Sequence, residues 1–406
     1  MKTKDAGKRY RSVIGTRSRL GQVMTPKRLA EAVVCLMGER GGCWLELGSG
    51  SGRLAEAVHD QAEPISYLGI ELEAAMIEKS PLLTGFSYLQ KDVLEVASLA
   101  NALDRQQFDH VIGNPPYGIH GFSIEATARL RELCPELLIQ GNWAPIDLYF
   151  VLESLSRLKP TGSAAFIVGA DIPCGVQSQQ FRRMLVETAS QIECYELPST
   201  AFALSAEVQA YVLVIRFGRC RAKHVSLGRL NEQFEVVALR QFSCAEAIKN
   251  MDLSDHEFGE VDAALRRSSH GVTMKDLNVS IVRGSRTRAQ FSQLGVPHFH
   301  TSDFPRSGME ISLQGASSPN YQQAKVGDIL LPRVGTRCLE HKAVVVGGQS
   351  PYSEAVFRIR APAKHQEQLV RWITSAECSN WRRAAARGAC AKHLTVSTLL
   401  SMPVPV

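Results

Sequence analysis

A stiff, polar loop follows an apolar run at residues 108–118, which read FDHVIGNPPYG. Proline lacks a backbone N–H, fixes its own φ angle and pushes the preceding residue towards an extended conformation. The loop therefore accepts hydrogen bonds but donates few. The Asn114 side-chain oxygen and the Pro115 carbonyl can accept the two N–H bonds of a planar amino group, and the Tyr117 ring can stack on the group that carries it.

A planar exocyclic amine is a poor nucleophile because its lone pair is drawn into the ring or amide. Two acceptors held in a fixed geometry would favour the pyramidal form and free that lone pair. Catalysis would then come from positioning and electrostatics rather than from a strong base. We therefore interpret Asn114, Pro115 and Tyr117 as candidate catalytic residues.

A glycine-rich stretch, ELGSGSG, follows another apolar run and places Glu46 before Gly48, Gly50 and Gly52. Such glycines allow a tight strand-to-helix turn and close approach of the backbone to a nucleoside-type ligand, although a tight turn alone would use them too. The stretch lacks the phosphate-binding lysine of a P-loop, which argues against a nucleoside triphosphate. An acidic Glu46 suits a cationic ligand better, such as the sulfonium and ammonium groups of S-adenosylmethionine.

Two further carboxylates end predicted strands. Glu71 ends the second strand, where an acid can bind both ribose hydroxyls. Asp92 ends the third strand, where a carboxylate can accept from an adenine amino group. The sequence therefore predicts one nucleoside cofactor bound across several strand ends.

Strand and helix patterns alternate through the first two hundred residues. This alternation predicts an α/β fold with a doubly wound, Rossmann-like parallel sheet, which binds ligands at the carboxyl ends of its strands. After about residue 225, short strands dominate, with helices expected at 242–251 and 365–385. We predict a basic N-terminal tail at 1–20, a catalytic domain at 21–235 and a smaller α+β domain at 236–406.

Composition narrows the class of protein. The 406 residues include no apolar run of transmembrane length and no apolar segment typical of a secretory signal. The ten cysteines are scattered singly without a C-x-x-C pair, so neither a metal site nor a disulfide framework is expected. These features are typical of a cytoplasmic protein with reduced thiols.

Charge is distributed unevenly along the chain. Residues 1–20 carry a net charge of +6, residues 21–220 carry −8 and residues 221–406 carry +8. The basic tail and the basic last third suggest a polyanion as partner, although a solvated surface is the simpler alternative.

Five stretches, in order, resemble the amino-group DNA methyltransferases, specifically the gamma class of N6-adenine enzymes typified by the TaqI modification enzyme. They are GQVMTPKRLAEAV, LELGSGSG, NPPY, DLYFVLESLSRLKPTGSAAFIV and AFALSAEVQAYVLVIRF. Within them, Glu46 stands where the family more often has Asp. The resemblance covers residues 21 to about 220 and implies methyl transfer from S-adenosylmethionine to the N6 amino group of an adenine flipped out of duplex DNA.

The resemblance also assigns roles to residues. Thr25 would contact the methionine part of the cofactor, and Phe202 would stack on the flipped base opposite Tyr117. The implied cofactor-binding set is Thr25, Glu46, Gly48, Gly50, Gly52, Glu71, Asp92 and Asn114.

The C-terminal domain resembles target-recognition domains through KVGDILLPRVG at 325–335 and the ending GACAKHLTVSTLLSMPVPV at 388–406, which we interpret as scaffold. Its candidate DNA-binding residues are Arg283, Arg286, Arg288, Arg333 and Arg337, for which phosphate contact is the simpler expectation than base reading. The resemblance implies a monomer, with a cognate restriction endonuclease as a further partner or none, as in an orphan methyltransferase.

Other readings share the same motif. Asn-Pro-Pro-Tyr also serves enzymes that methylate RNA adenine and enzymes that methylate the glutamine amide of a protein at N5, because all present a planar NH₂ group. A nucleic-acid-binding domain that has lost catalysis is disfavoured because every catalytic position is filled. The basic domain after the catalytic half favours DNA.

Overall fold

The computed structural model describes residues 24–405, except 138, 140, 203–208, 316–319, 335–338 and 387–392. The chain divides into two compact units, residues 1–253 and 254–406. The predicted basic tail at 1–20 and Arg337 lie outside the described residues. No helix in the described ranges is both long and apolar enough to cross a membrane.

The first unit is built on a nine-stranded sheet in the order β11-β10-β8-β9-β7-β4-β1-β2-β3. Strands β3, β2, β1, β4 and β7 are neighbours and all parallel. The sheet strands are β1 Cys43–Leu47, β2 Ser66–Glu71, β3 Phe86–Gln90, β4 Phe108–Gly113, β7 Leu158–Gly169, β8 Gln191–Glu196, β9 Ala210–Arg216, β10 His224–Leu230 and β11 Val236–Ser243. A two-stranded hairpin, β5 Ile119–Gly121 with β6 Trp143–Pro145, follows the end of β4.

Helices alternate with these strands. They are α1 Lys27–Met37, α2 Arg53–Ala62, α3 Ala74–Ile77, α4 Val96–Leu103, α5 Ile124–Leu133, α6 Ile146–Leu155, α7 Asp171–Cys174, α8 Gln179–Thr188 and α9 Cys244–Lys249. The predicted α/β fold with a large, mostly parallel sheet is confirmed.

The core has two layers because successive strand residues point to opposite faces of the sheet. Leu45 packs with the buried side chains of α4–α8, whereas its neighbour Trp44 packs with those of α1 and α2. In β4, Val111 packs in the same layer as Leu45, and Ile112 packs in the same layer as Trp44. Burial of these strands on both faces explains their continuous apolar runs.

The sequence predicted a parallel sheet, but the sheet is not parallel throughout, because β9 runs antiparallel to both β7 and β8. Strand β8, with the sequence QIECYE, was not predicted. It precedes β9 in the chain and pairs with it directly, and an antiparallel partner needs no crossover helix.

The boundary between the units also lies later than the predicted residue 235. Strand β10 pairs with β8, and β11 pairs with β10, so both extend the first sheet instead of starting a second domain. The buried side chains of Phe242, Ala247 and Met251 belong to the same core.

Arg182 of α8 anchors this extension. Its guanidinium is 1% exposed and donates to the carbonyls of Ile172 and Gly175 at 2.7 and 2.9 Å. It also donates to the carbonyls of Ile248 and Lys249 at 3.0 Å each. Burial lowers the pKa of Arg182 to about 10, so it remains charged at neutral pH.

The second unit has its own six-stranded sheet, in the order β12-β17-β15-β16-β13, with β14 paired to β16. Its strands are β12 Ser280–Arg283, β13 Glu310–Gln314, β14 Gln323–Lys325, β15 Ile329–Pro332, β16 Ala343–Pro351 and β17 Val356–Arg360. Its helices are α10 Leu253–Ser268, α11 Arg288–Gln293, α12 Gln366–Thr374, α13 Ala376–Ala385 and α14 Val396–Leu400. Short strands are numerous in this unit, as predicted, and α12 and α13 lie within the helical region predicted at 365–385.

The stretch KVGDILLPRVG forms an exposed turn that leads through the buried Asp328 into β15. The Asp328 carboxylate is 1% exposed and accepts from Arg360 at 2.6 and 2.7 Å. It also accepts from the backbone N–H of Lys325 at 2.9 Å. These contacts lie within the unit and agree with a scaffold role for this stretch.

Replacing Arg182 with Met should destabilise the first unit. Four backbone carbonyls would lose the Arg182 donor, although Gly175 keeps the Ser178 N–H at 3.2 Å. Buried acceptors left without partners cost about 1–3 kcal/mol each, so we expect a loss of at least about 3 kcal/mol in the free energy of unfolding. The matched control is Arg183→Met, because Arg183 is the exposed neighbour on the same helix. Denaturant melts of both variants test this, and equal midpoints would contradict it.

Candidate active site

The carboxyl ends of four neighbouring strands open into one cavity of about 500 Å³. Glu46 lies near the end of β1, Glu71 ends β2, and Asp92 and Asn114 follow β3 and β4. All four line the cavity, together with Thr25, Gly48 and Gly50. The structure therefore brings together most of the residues that the sequence predicted, because parallel strands end at the same edge of a sheet.

The glycine-rich loop between β1 and α2 has the geometry that its sequence requires. Gly48, Gly50 and Gly52 adopt φ angles of +79°, +53° and +74°, which disfavour any residue with a Cβ. A Cβ on Gly50 would meet no atom within 4 Å. Gly52 lies outside the cavity lining, and a Cβ there would approach Pro81 Cδ at 2.5 Å. Gly52 is thus needed for packing, whereas Gly50 leaves bare backbone at the cavity.

Glu71 is held rigidly at the end of β2. One carboxylate oxygen accepts from the Gly50 N–H at 2.7 Å, and the other accepts from the Glu73 N–H at 2.9 Å. The residue is only 3% exposed. Each oxygen keeps a lone pair for a ligand, so the carboxylate can accept two hydroxyl groups at once.

Glu46 is a buried carboxylate of the cavity lining whose pKa is raised. It is 2% exposed, and burial raises its pKa well above the ordinary value. The Tyr67 hydroxyl donates to the carboxylate and opposes this rise, whereas the negative charge of Glu71 adds to it. A cation placed beside Glu46 would stabilise its ionised form.

Asp92 and His120 form the opposite wall. One Asp92 oxygen accepts from the Leu94 N–H at 2.8 Å, which fixes the carboxylate at the turn after β3. His120 reaches the cavity from the hairpin strand β5, and burial lowers its pKa although the charge of Asp92 opposes this. His120 was not predicted, because nothing in the sequence indicates that the hairpin folds back over the cavity.

The Asn-Pro-Pro-Tyr loop holds its amide between two hydroxyl groups. The Asn114 Nδ2 donates to Thr25 Oγ1 at 2.9 Å, so the side-chain oxygen is the acceptor that remains. The Tyr117 hydroxyl donates to that oxygen. The Thr25 contact joins residues 89 positions apart in the sequence. It fixes the orientation of the amide, with the nitrogen towards Thr25 and the oxygen on the other side.

Tyr117 and Phe202 are neighbours, as expected, but their rings do not face each other in parallel. The ring centroids lie 6.4 Å apart with an interplanar angle of 62°. Phe202 is 6% exposed, and burial raises the pKa of the Tyr117 hydroxyl well above its ordinary value. A planar ligand between these rings would require one of them to rotate.

One buried carboxylate near the loop was missed by the sequence analysis. Asp147, in the first turn of α6, is 1% exposed and accepts from the Gly169 N–H at 3.0 Å. Burial raises its pKa to about 7, and the charge of Asp171 contributes to this rise. In the sequence it stands at the start of an apolar helix, where it resembles an ordinary helix-start residue.

The candidate arginines of the second unit occupy different environments. Arg283 pairs with the Glu354 carboxylate, and Arg333 Nε donates to the Glu354 carbonyl at 2.8 Å. The Arg286 guanidinium lies 5.5 Å from the centroid of the Tyr321 ring. Arg288 begins α11. Three of the five contact Glu354, since the Glu354 N–H also donates to the Arg286 carbonyl at 2.7 Å. Among the described residues, no group of three His, Cys, Asp or Glu side chains is arranged to hold a metal ion.

Two curated proteins are similar in sequence to part of this chain. "Defense against restriction protein B" of Escherichia phage P1 is 27% identical over 188 residues, which cover 45% of this chain and 8% of that protein. The tRNA1(Val) (adenine(37)-N6)-methyltransferase of Shewanella loihica (strain ATCC BAA-1088 / PV-4) is 31% identical over 130 residues, covering 30% of this chain and 51% of that protein. The chain thus matches about half or less of the length of these relatives.

A solved structure matches nearly the whole chain. The type IIG restriction endonuclease BpuSI aligns with a TM-score of 0.52 and 12% identity, over 96% of this chain and 59% of that one, which shows a shared fold. The N-6 DNA Methylase family matches residues 13–289, more than half of the sequence. The chain therefore belongs to the N-6 DNA Methylase family.

Proposed function

We propose that this protein is a site-specific DNA methyltransferase of the gamma class, which transfers a methyl group from S-adenosylmethionine to the N6 amino group of adenine in duplex DNA. The observation that carries the proposal is the placement of the Asn114 acceptor on the same cavity as Glu46, Glu71 and Asp92. This arrangement pairs a site for an amino group with a site for a cationic nucleoside.

The cavity residues fit S-adenosylmethionine. Glu46 would lie beside the cationic sulfonium and ammonium groups, and Glu71 would accept from the two ribose hydroxyls. Asp92 would accept from the adenine amino group of the cofactor, and Thr25 would contact its methionine part. Gly50 supports this fit, because its bare backbone faces open space at the cavity. The bound cofactor supplies an electrophilic methyl group on a positively charged sulfur.

Asn114 and Pro115 would orient the target amine. With the Asn114 oxygen and the Pro115 carbonyl accepting its two N–H bonds, N6 would become pyramidal and its lone pair would be withdrawn from the ring. Bound S-adenosylmethionine would supply the methyl group that this lone pair accepts, and N6 would then lose one proton to solvent. Since Tyr117 already donates to the Asn114 oxygen, the entering amine must share or displace that hydroxyl.

The target adenine would have to leave the DNA stack, because N6 is buried within the duplex. We propose that Tyr117 and Phe202 receive the flipped base after one ring turns from the present edge-on arrangement. Stacking of a base on an aromatic side chain contributes about 1–3 kcal/mol, which offsets part of the flipping cost.

The second unit is the proposed DNA-recognition domain. Residues 254–406 contain 19 Lys and Arg against 12 Asp and Glu. The unit therefore carries a net positive charge even though it begins at residue 254 instead of the predicted residue 236. Arg283, Arg286, Arg288, Arg333 and Arg337 remain the proposed DNA contacts, and the basic tail at 1–20 would lie along phosphates. A monomer, with or without a cognate endonuclease, completes the proposal.

RNA adenine is the second candidate substrate. The Shewanella relative acts on a tRNA adenine according to its name, and it matches 30% of this chain. The N6 chemistry would be the same, so only the nucleic acid that is methylated distinguishes the two. A protein glutamine is disfavoured, because a basic unit of this size has no evident use with a single amide side chain.

Replacing Asn114 with Ala should lower the rate of methyl transfer by orders of magnitude while cofactor binding stays nearly intact. Loss of one preorganised hydrogen-bonding group lowers such rates roughly 10²–10³-fold. Wild type and variant would be incubated with labelled S-adenosylmethionine and either mixed-sequence duplex DNA or tRNA, and the methylated nucleoside identified after digestion. We expect N6-methyldeoxyadenosine from wild type. Turnover of the variant within tenfold of wild type would remove Asn114 from the mechanism, and N6-methyladenosine from tRNA alone would identify RNA as the substrate.

Replacing Glu71 with Ala should weaken cofactor binding. The carboxylate would make charge-assisted hydrogen bonds to two hydroxyls, each contributing roughly 1.5–3 kcal/mol, so the dissociation constant should rise at least about tenfold. Calorimetry measures this, with a thermal melt to establish folding. Glu78→Ala is the control, since Glu78 is exposed on the turn after α3 and outside the cavity. Equal dissociation constants for the two variants would place the ribose elsewhere.

The affinity for S-adenosylmethionine should rise with pH. Burial raises the pKa of Glu46 in the free protein, and a bound cation favours the ionised form, so binding releases a proton below that pKa. S-adenosylhomocysteine lacks the sulfonium charge and should show a weaker pH dependence. Calorimetry in buffers of different ionisation enthalpy measures the released proton.

Two variants sharpen this test. Glu46→Gln should remove the proton release. Tyr67→Phe should move the pH dependence upward, because the Tyr67 hydrogen bond holds the pKa of Glu46 down. Equal proton release by the wild type and Glu46→Gln would show that another group titrates.

A further inference from the structure

We propose that Asp147 is a positioning residue for the Asn-Pro-Pro-Tyr loop, holding the end of β7 and the start of α6 against which Tyr117 and Gly118 are seated. The inference rests on the proposed function only in that the loop is taken to be catalytic. Neither the family match nor the cavity lining assigns a role to this carboxylate.

The contacts of Asp147 join two elements. Its Oδ2 accepts from the Gly169 N–H at 3.0 Å, at the last residue of β7, and its Oδ1 accepts from the Leu148 N–H at 3.1 Å, in the first turn of α6. The carboxylate is 1% exposed, so these bonds are shielded from water. The N-terminal end of α6 also favours a negative charge here.

Both elements touch the loop. A Cβ built on Gly169 would lie 3.4 Å from Asp147 Oδ2 and 3.8 Å from both Cβ and Cδ1 of Tyr117, so the carboxylate and the ring pack on one small site. At the start of α6, the Ile146 N–H donates to the Gly118 carbonyl at 2.9 Å. Tyr117 in turn donates to the Asn114 oxygen. Asp147 therefore acts on the catalytic acceptor through its neighbours.

The ionisation of Asp147 should set how firmly the loop is held. A carboxylate accepts stronger hydrogen bonds from N–H groups than a neutral carboxyl does. The titratable groups that act across this site are Asp171, which follows β7, and Tyr117, in the loop itself. The pKa of Asp147 is about 7, after burial and the charge of Asp171 have raised it, so the ionised form dominates above neutral pH. Order in the loop should increase as pH rises through that value.

The first measurement needs no substrate. Tyr117–Gly118 is the one Tyr-Gly pair in the sequence, so labelling the full chain with ¹³C-carbonyl Tyr and ¹⁵N-Gly isolates the Gly118 amide signal. We expect this signal to titrate with a midpoint near the pKa of about 7 of Asp147. Asp147→Asn should abolish the titration, and Asp171→Asn should move it to lower pH, because the charge of Asp171 raises the pKa of Asp147.

The second measurement is the single-turnover methylation rate against pH. The wild-type rate should rise through the same midpoint and then level. Asp147→Asn should flatten this profile and lower the plateau roughly tenfold, the loss expected for one charge-assisted hydrogen bond, with an unchanged dissociation constant for the cofactor. Asp171→Asn should shift the inflection with the Gly118 signal.

The outcomes separate the two proposals. A Gly118 signal that ignores pH, or that titrates alike in wild type and Asp147→Asn, overturns the role of Asp147, as does a pH–rate profile that neither variant alters. A Gly118 titration that behaves as expected in a protein that methylates neither DNA nor RNA supports the coupling and refutes the proposed function instead.

Discussion

The site depends on one constraint, which is that β3, β2, β1, β4 and β7 are parallel neighbours whose carboxyl ends meet at one edge. Strands β1 and β4 are largely buried on both faces, and most of the polar side chains that line the cavity lie at or just after the ends of the strands. Residues far apart in the chain thereby become neighbours, as Thr25 and Asn114 do across 89 positions. Much of the cavity wall is therefore formed by residues at or just after the ends of sheet strands.

Charge within this edge is divided in a way that suits the proposed reaction. The side proposed to hold the cofactor presents the buried carboxylates Glu46 and Glu71, whereas the loop presents the neutral amide of Asn114. A cationic ligand gains from the first environment. A neutral amine needs only hydrogen-bond acceptors, and an ionised group beside it would carry a desolvation cost without a compensating charge in the ground state. The negative charge of Asp147 lies behind the loop, where backbone N–H groups satisfy it.

The sequence predicted the parts of this arrangement that local patterns encode. Strands β1 to β4 and their terminal residues Glu46, Glu71, Asp92 and Asn114 follow from apolar runs that end in polar residues. The features that the sequence did not predict depend on contacts between residues far apart in the chain. Strand β8 has mixed polarity, so its pairing with β9 and β10 was not visible, and the boundary near residue 235 was consequently wrong. His120 reaches the site from a hairpin whose placement no local pattern fixes, and the edge-on contact of Tyr117 with Phe202 is a matter of side-chain rotation.

The Arg182 anchor has a consequence for how such proteins can diversify. Target specificity in a two-unit protein can change by recombination that replaces one unit with that of a relative. A junction near residue 235 would separate Arg182 from the carbonyls of Ile248 and Lys249 and strip β11 from the sheet edge. A junction beyond Met251 keeps every one of these bonds within a single parental sequence. Productive exchange of the second unit, in nature or by design, is therefore restricted to crossovers that leave residues up to about 253 with the catalytic unit.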